Sequence, residues 1–115
     1  MPSARQRYGK DAEDQAARFL ESQGMVILDR HVTSQFGEID ILAKDGNTVV
    51  AVEVKARRNN FYGRAIESIT ATKFEKIAAA LHQILEKRGW QNRPYRIDAI
   101  TIDGTTIEHF PSIGS

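Results

Sequence analysis

Apolar residues recur at helical spacing near the start of the chain. Ala12, Ala16, Phe19 and Leu20 share one stripe between about Lys10 and Gln23, and Gly24 is a suitable stop. The short apolar run Met25-Val26-Ile27-Leu28 predicts a strand, and Ser34-Gln35-Phe36-Gly37 a turn. Two alternating stretches follow, Glu38 to Ala43 and Val49 to Arg57, separated by Asp45-Gly46-Asn47; together they predict a β-hairpin over 38–57. Arg58 to Thr70 reads as a loop. Thr72 with Glu75 predicts a capping box opening a second helix, whose apolar face carries Phe74, Ile77, Ala78, Leu81, Ile84 and Leu85 and which ends near Arg88-Gly89. Arg96 to Ile102 alternates as a strand, Asp103-Gly104 turns, and Thr105 to Phe110 makes a last strand. The predicted order is α-β-β-β-α-β(-β), without repeats, linkers or low-complexity segments. One domain over 1–115 is expected, with loose termini at 1–8 and 111–115.

The hairpin places acids where packing alone would not. A two-residue loop at Asp45-Gly46 sets Leu42 against Val49, Asp40 against Ala51 and Glu38 against Glu53. Opposed residues share a face, as do positions i and i+2. One face then collects Ile39, Ile41, Ala43, Val50, Val52 and Val54, a core face. The other collects Glu38, Asp40, Glu53, Lys55 and Arg57. Like charges opposed on a sheet cost up to about 1 kcal/mol per pair. When partly buried, one carboxylate must take a proton or meet a cation. Lys55 and Arg57 offset some of the repulsion. A hard divalent ion would offset more, since Mg²⁺ is commonly held by one or two carboxylates together with waters and phosphate oxygens. The plain alternative is the polar outer face of an antiparallel sheet. Against it, Asp is a poor strand residue, so something other than β-propensity holds Asp40 there.

Composition narrows the chemistry. The chain has no cysteine, which excludes disulfides, thiolate zinc sites and cysteine nucleophiles. His31, His82 and His109 lack metal-ligand spacing, and no catalytic role is expected for them. No apolar run is long enough to cross a bilayer, and MPSARQRYGK has no signal-like apolar region, so the cytoplasm is the expected location and no membrane partner is expected. Sixteen Lys+Arg against fifteen Asp+Glu give a net charge of +1, but the distribution is uneven. Lys55, Arg57, Arg58 and Arg64 form a run without acids, interleaved with Phe61 and Tyr62. Such a loop beside the acids offers phosphate contacts and base stacking; its bland reading is a solvated loop. Lys73, near the start of the second helix, is a candidate phosphate contact or a solvated lysine. Trp90 reads as a packed end-cap, and Asp98 as a polar strand position.

Gly37-Glu38-Ile39-Asp40, followed thirteen residues after Asp40 by Glu53-Val54-Lys55, resembles the PD-(D/E)xK nuclease signature, with Ile39 in place of proline. A wider set resembles the YraN family of predicted endonucleases, similar to archaeal Holliday-junction resolvases. It comprises Gly9, Glu13, Ala16/Ala17, Leu20, Gly24, G-E-I-D, V-E-V-K-A-R, Ile66, Lys73 and Arg96-Ile97-Asp98, over about residues 5 to 105. One departure is Arg30-His31-Val32-Thr33, where the family usually carries an Asn and an Arg. The resemblance implies an α/β, restriction-endonuclease-like αβββαβ core, with a mixed central sheet flanked by helices. It also implies Mg²⁺-dependent hydrolysis of DNA phosphodiesters (Mn²⁺ substituting), with branched or junction DNA as one substrate class. Cutting a junction usually requires two active sites, which leaves room for a homodimer without fixing the oligomeric state.

Asp40 and Glu53 would bind the metal, the Val54 carbonyl offering a third oxygen. Lys55 would orient the attacking water and stabilise transition-state charge. In the family pattern Glu13 completes the site; its plain alternative is a first-turn carboxylate favoured by the helix dipole. Glu38 is either a supporting acid or a surface residue. Arg57, Arg58, Arg64 and Lys73 are the candidate nucleic-acid contacts. The competing reading is a non-catalytic nucleic-acid-binding module that keeps the nuclease fold. A glycosidase using paired carboxylates is disfavoured by the lack of sugar-stacking aromatics near the acids.

Overall fold

The computed structural model describes residues 4–58 and 63–114, with side chains from Lys10 onward. Helix α1 (Ala4–Ser22) leads into three antiparallel strands, β1 (Val26–Ser34), β2 (Gly37–Asp45) and β3 (Thr48–Arg57). A short 3₁₀ turn (Ala65–Ser68) precedes helix α2 (Ala71–Lys87), which carries the chain to β4 (Tyr95–Asp103) and β5 (Thr106–Phe110). The five strands form one sheet in sequence order; β3 pairs with β4 in parallel and all other neighbours are antiparallel. The mixed sheet and two helices are the expected αβββαβ core, extended by β5.

Both faces of the sheet are covered. Ile77, Ala80, Leu81, Ile84 and Leu85 of α2 bury Leu42, Val49, Ala51 and Ile97. Ala16, Ala17 and Leu20 of α1 bury Ile41, Ala43, Val50, Val52 and Ile100. That explains why Val49-Val50-Ala51-Val52 reads as an unbroken apolar run: a central strand covered on both sides has no polar face to alternate with. The expectation of one core face and one outer face therefore holds only at one end of the hairpin. Ile39, expected beside Ile41 and Ala43, packs instead with the α2 cluster.

Register and boundaries also differ. The hairpin loop is Gly46-Asn47, with Asp45 opposite Thr48, so Leu42 pairs with Ala51 and Ile41 with Val52. The expected partners are offset; the two alternating sets hold from Ile41 onward, while Ile39 changes face. Helix α1 starts at Ala4, ahead of the expected Lys10. The cap of α2 is Thr70, whose hydroxyl accepts the Lys73 N–H at 3.2 Å; Thr72 lies inside the helix and caps nothing. The tail after Phe110 is tied down: Ser112 N–H donates to Asp98 Oδ1 and Ile113 N–H to the Ile97 carbonyl, at 2.9 and 2.8 Å. Trp90 packs at the end of α2 as expected, with Arg88 and Arg93 over its ring.

Candidate active site

The β2–β3 ladder ends at Ile41 and Val52, while β3 stays paired to β4 as far as Arg57 and Asp103. Asp40 and Glu53 are the next residues on the two separating strands. Asp40 Oδ2 accepts the Val54 N–H at 2.9 Å, so a carboxylate takes the place of a strand partner. This accounts for an Asp in a strand: its side chain satisfies a backbone donor that the parting strands leave open.

The Asp40 and Glu53 carboxyl groups are close enough for each to alter the other's proton affinity. Glu53 is 9% exposed. Burial, and then the Asp40 charge, push its carboxyl up to about 7, with Lys55 and Lys73 opposing. Burial also raises Asp40, against the Val54 hydrogen bond and the Lys55 charge. Two acids this close hold a proton or a cation between them.

Two ammonium groups stand alongside. Lys55 Nζ is 3.3 Å from Glu53 Oε1. Burial alone would lower Lys55, but contact with Lys73 and then the charges of Glu53 and Asp40 outweigh it and leave the ammonium titrating above its ordinary value. Lys73, reaching in from the first turn of α2, is lowered by its contact with Lys55. Sequence order alone places Lys73 eighteen residues beyond Lys55; the α2 crossover brings the two together.

On the α1 side a second group of charges borders Asp40. Glu13 lies mid-helix, so the first-turn reading fails. Its carboxyl is raised by burial and then by the Asp40 charge. His31 stands between Glu13 and Glu38, with Nδ1 2.8 Å from Glu38 Oε1 and Nε2 2.6 Å from Glu13 Oε2. The latter contact is an ion pair off the hydrogen-bonding direction, which leaves Glu13 Oε2 buried without a hydrogen-bond partner. Contact with Glu38 raises His31, and Glu13 adds to that effect. Its backbone has φ +52°, a left-handed conformation uncommon for a non-glycine residue, inside β1. Nothing in the spacing of the histidines pointed to this bridge; the one signal was the departure at Arg30-His31.

The proposed basic surface divides. Arg57 and Arg58 end β3 and are exposed. Arg64 is ion-paired with Glu108 of β5. Phe61 and Tyr62 lie outside the described residues.

A hard divalent cation fits this donor set in part. Half-buried Asp40 and buried Glu53, both with raised proton affinity, suit such an ion; Glu13 Oε2 on the α1 side is already met by His31 at 2.6 Å and Arg30 at 3.7 Å. Among the described residues no group of three or more acidic or histidine side chains converges at ligand spacing, so waters and substrate oxygens would complete the shell.

Fold and site together define a class: a one-sheet α/β domain with an acid pair and a lysine on parting neighbouring strands. The chain belongs to the uncharacterised protein family UPF0102, whose family model matches residues 12–102; this is the YraN family. It is 41% identical to a UPF0102 protein of Sulfurihydrogenibium sp. (strain YO3AOP1), over 88% of each chain. A UPF0102 protein of Pseudomonas syringae pv. syringae is 40% identical over 89% of this chain and 84% of its own. One from Persephonella marina is 41% identical over 88% and 87%. Among the described residues no helix is long and apolar enough to cross a membrane.

Proposed function

We propose that the protein is a divalent-metal-dependent endonuclease acting on DNA. The observation that carries this reading is the pairing of half-buried Asp40 with buried Glu53, with Lys55 and Lys73 beside them. A fold gains nothing from two acids buried together unless something positive joins them, and structural frustration of this kind gathers at working sites.

Asp40 and Glu53 would hold Mg²⁺, which when bound supplies an acidified water and polarises a phosphoryl oxygen. Hydrolysis joins a water oxygen to phosphorus and breaks one P–O ester bond, and the water's protons end on the products. Lys55 remains an ammonium group at neutral pH. It therefore acts as a cation and donor to the phosphate and water, not as a base. Lys73 adds a second positive contact at the same phosphate, and Arg57 extends the positive track along β3. Glu13 acts on the pair from α1, through its charge on Asp40.

Incubation with single-stranded, duplex and branched DNA and Mg²⁺ tests the reading. Cleavage should vanish in EDTA and fall by about 10²–10³-fold in Asp40→Asn, Glu53→Gln and Lys55→Ala, with circular dichroism unchanged. Mn²⁺ titration should show weaker binding to Asp40→Asn. Equal Mn²⁺ affinity, or cleavage indifferent to all three substitutions, overturns the proposal. DNA binding without cleavage would favour the non-catalytic module instead.

A further inference from the structure

The turn between β1 and β2 presents Phe36 to solvent, 48% exposed. This turn is fastened in place. Ser34 Oγ accepts the Phe36 N–H at 3.0 Å and donates to the Gly37 carbonyl at 2.8 Å. Gln35 is bound to α2 twice: its N–H donates to Gln83 Oε1 at 2.7 Å, and Gln83 Nε2 donates to its side-chain oxygen at 3.2 Å. Gly37 takes φ +144°, which a side chain would resist. An apolar ring is thus held out in water by bonds on both sides of it.

Phe36 lines a cleft of about 160 Å³ together with Glu38, Glu53, Lys73, Lys76 and Ile77. Lys73 and Lys76, three residues apart, share one face of α2. Both are exposed, and Lys76 forms no ion pair among the described residues. Glu53 joins the cleft to the acid pair. The cleft therefore offers a fixed aromatic face, two cations and a direct connection to the site of the proposed chemistry.

We infer that this cleft is a subsite for one unpaired nucleotide of single-stranded DNA, its base stacked on Phe36 and its phosphate held by Lys73 and Lys76. The inference deepens the proposed function and rests on it for the strand's placement at the acid pair. A base inside a duplex has both faces covered by its neighbours, so only an unstacked base can offer Phe36 a free face. The lysines supply the sequence-independent attraction. The resulting preference is for substrates with an unpaired nucleotide beside the scissile bond.

Fluorescence anisotropy of the full chain in EDTA, where nothing is cut, separates this from the nuclease reading. Probes are oligo-dT, the same oligomer with one abasic position, and a blunt duplex. Phe36→Ala should weaken oligo-dT binding about tenfold and leave the duplex unchanged, and Phe36→Trp should restore it. The abasic probe, scanned along the oligomer, should at one position bind wild type as weakly as oligo-dT binds Phe36→Ala. Lys76→Ala should flatten the salt dependence by about 0.7 in slope. Wild type that ignores single strands, Phe36→Ala that binds oligo-dT normally, or equal losses on duplex and single strand overturn the subsite. A protein with these affinities that never cleaves refutes the nuclease reading alone.

Discussion

Two acids are buried in this sheet, and their surroundings are opposites. Asp98 on β4 is 0% exposed and met entirely by donors: Arg96 Nε at 3.0 Å, His109 Nε2 at 2.8 Å and the Ser112 N–H at 2.9 Å. Arg96 also reaches Asp45 at 3.0 Å. Glu53 on β3 is nearly as buried, but burial and then the Asp40 charge raise its proton affinity, against the opposing charges of Lys55 and Lys73. The first cluster ties β4, β5 and the tail together. The second leaves charge unbalanced at the mouth of two parting strands. Burial by itself therefore does not mark a working acid; the sign of what faces it does.

Removing the charge at Asp98 should be the largest structural insult. Asp98→Asn leaves Arg96 without its main buried partner and should cost about 3–5 kcal/mol in urea unfolding. A cost below about 1 kcal/mol would mean that the two acids are not opposites after all.

Glu53→Gln should do the reverse. In the folded protein this carboxyl titrates near 7, above its ordinary 4.5, so the native state binds the extra proton. Stability from that proton is full below roughly 4.5 and is lost as pH rises towards 7 and beyond. The glutamine variant has no such loss and should be more stable than wild type by about 1–3 kcal/mol above neutrality, with little difference in acid. Mg²⁺ should stabilise wild type and not the variant, because only the ionised pair gains from the ion. Equal stability of the two proteins across the pH range would remove the frustration on which the site rests.

The contrast was half legible in the sequence. Alternation along β2 and β3 predicts one shared face for Asp40, Glu53 and Lys55, but the period slips between Ile39 and Ile41, which pack on opposite faces where the strands part. Pairing itself was misread: Asp45-Gly46 and Gly46-Asn47 are both acceptable turns, and local chemistry does not choose between them. In the sequence Asp98 reads only as a polar strand position. Its partners Arg96 and His109 lie two and eleven residues away, and only the β4–β5 pairing and the returning tail bring them to one point. The His31 bridge escaped for the same reason, since Glu13 comes from a helix on one face of the sheet and Glu38 from the strand beside it. Arg64 looked like part of a continuous basic run, yet the fold turns it to Glu108. Period along one element is readable from a sequence; convergence between elements needs the fold.

The finest cut on the comparison removes a cation from the frustrated site. Lys73 is exposed and sits against another ammonium group, so it gains little by being there for the fold's sake. Lys73→Met should change unfolding stability by less than about 0.5 kcal/mol, in contrast to the cost of dismantling the Asp98 cluster. It should also push Glu53 further up, because one of the charges opposing its rise is gone. A pH titration of Glu53 by carbon-detected NMR would show that displacement. A large stability loss, or a Glu53 titration that stays in place, would make Lys73 a structural partner like Arg96 and erase the distinction between the two acids.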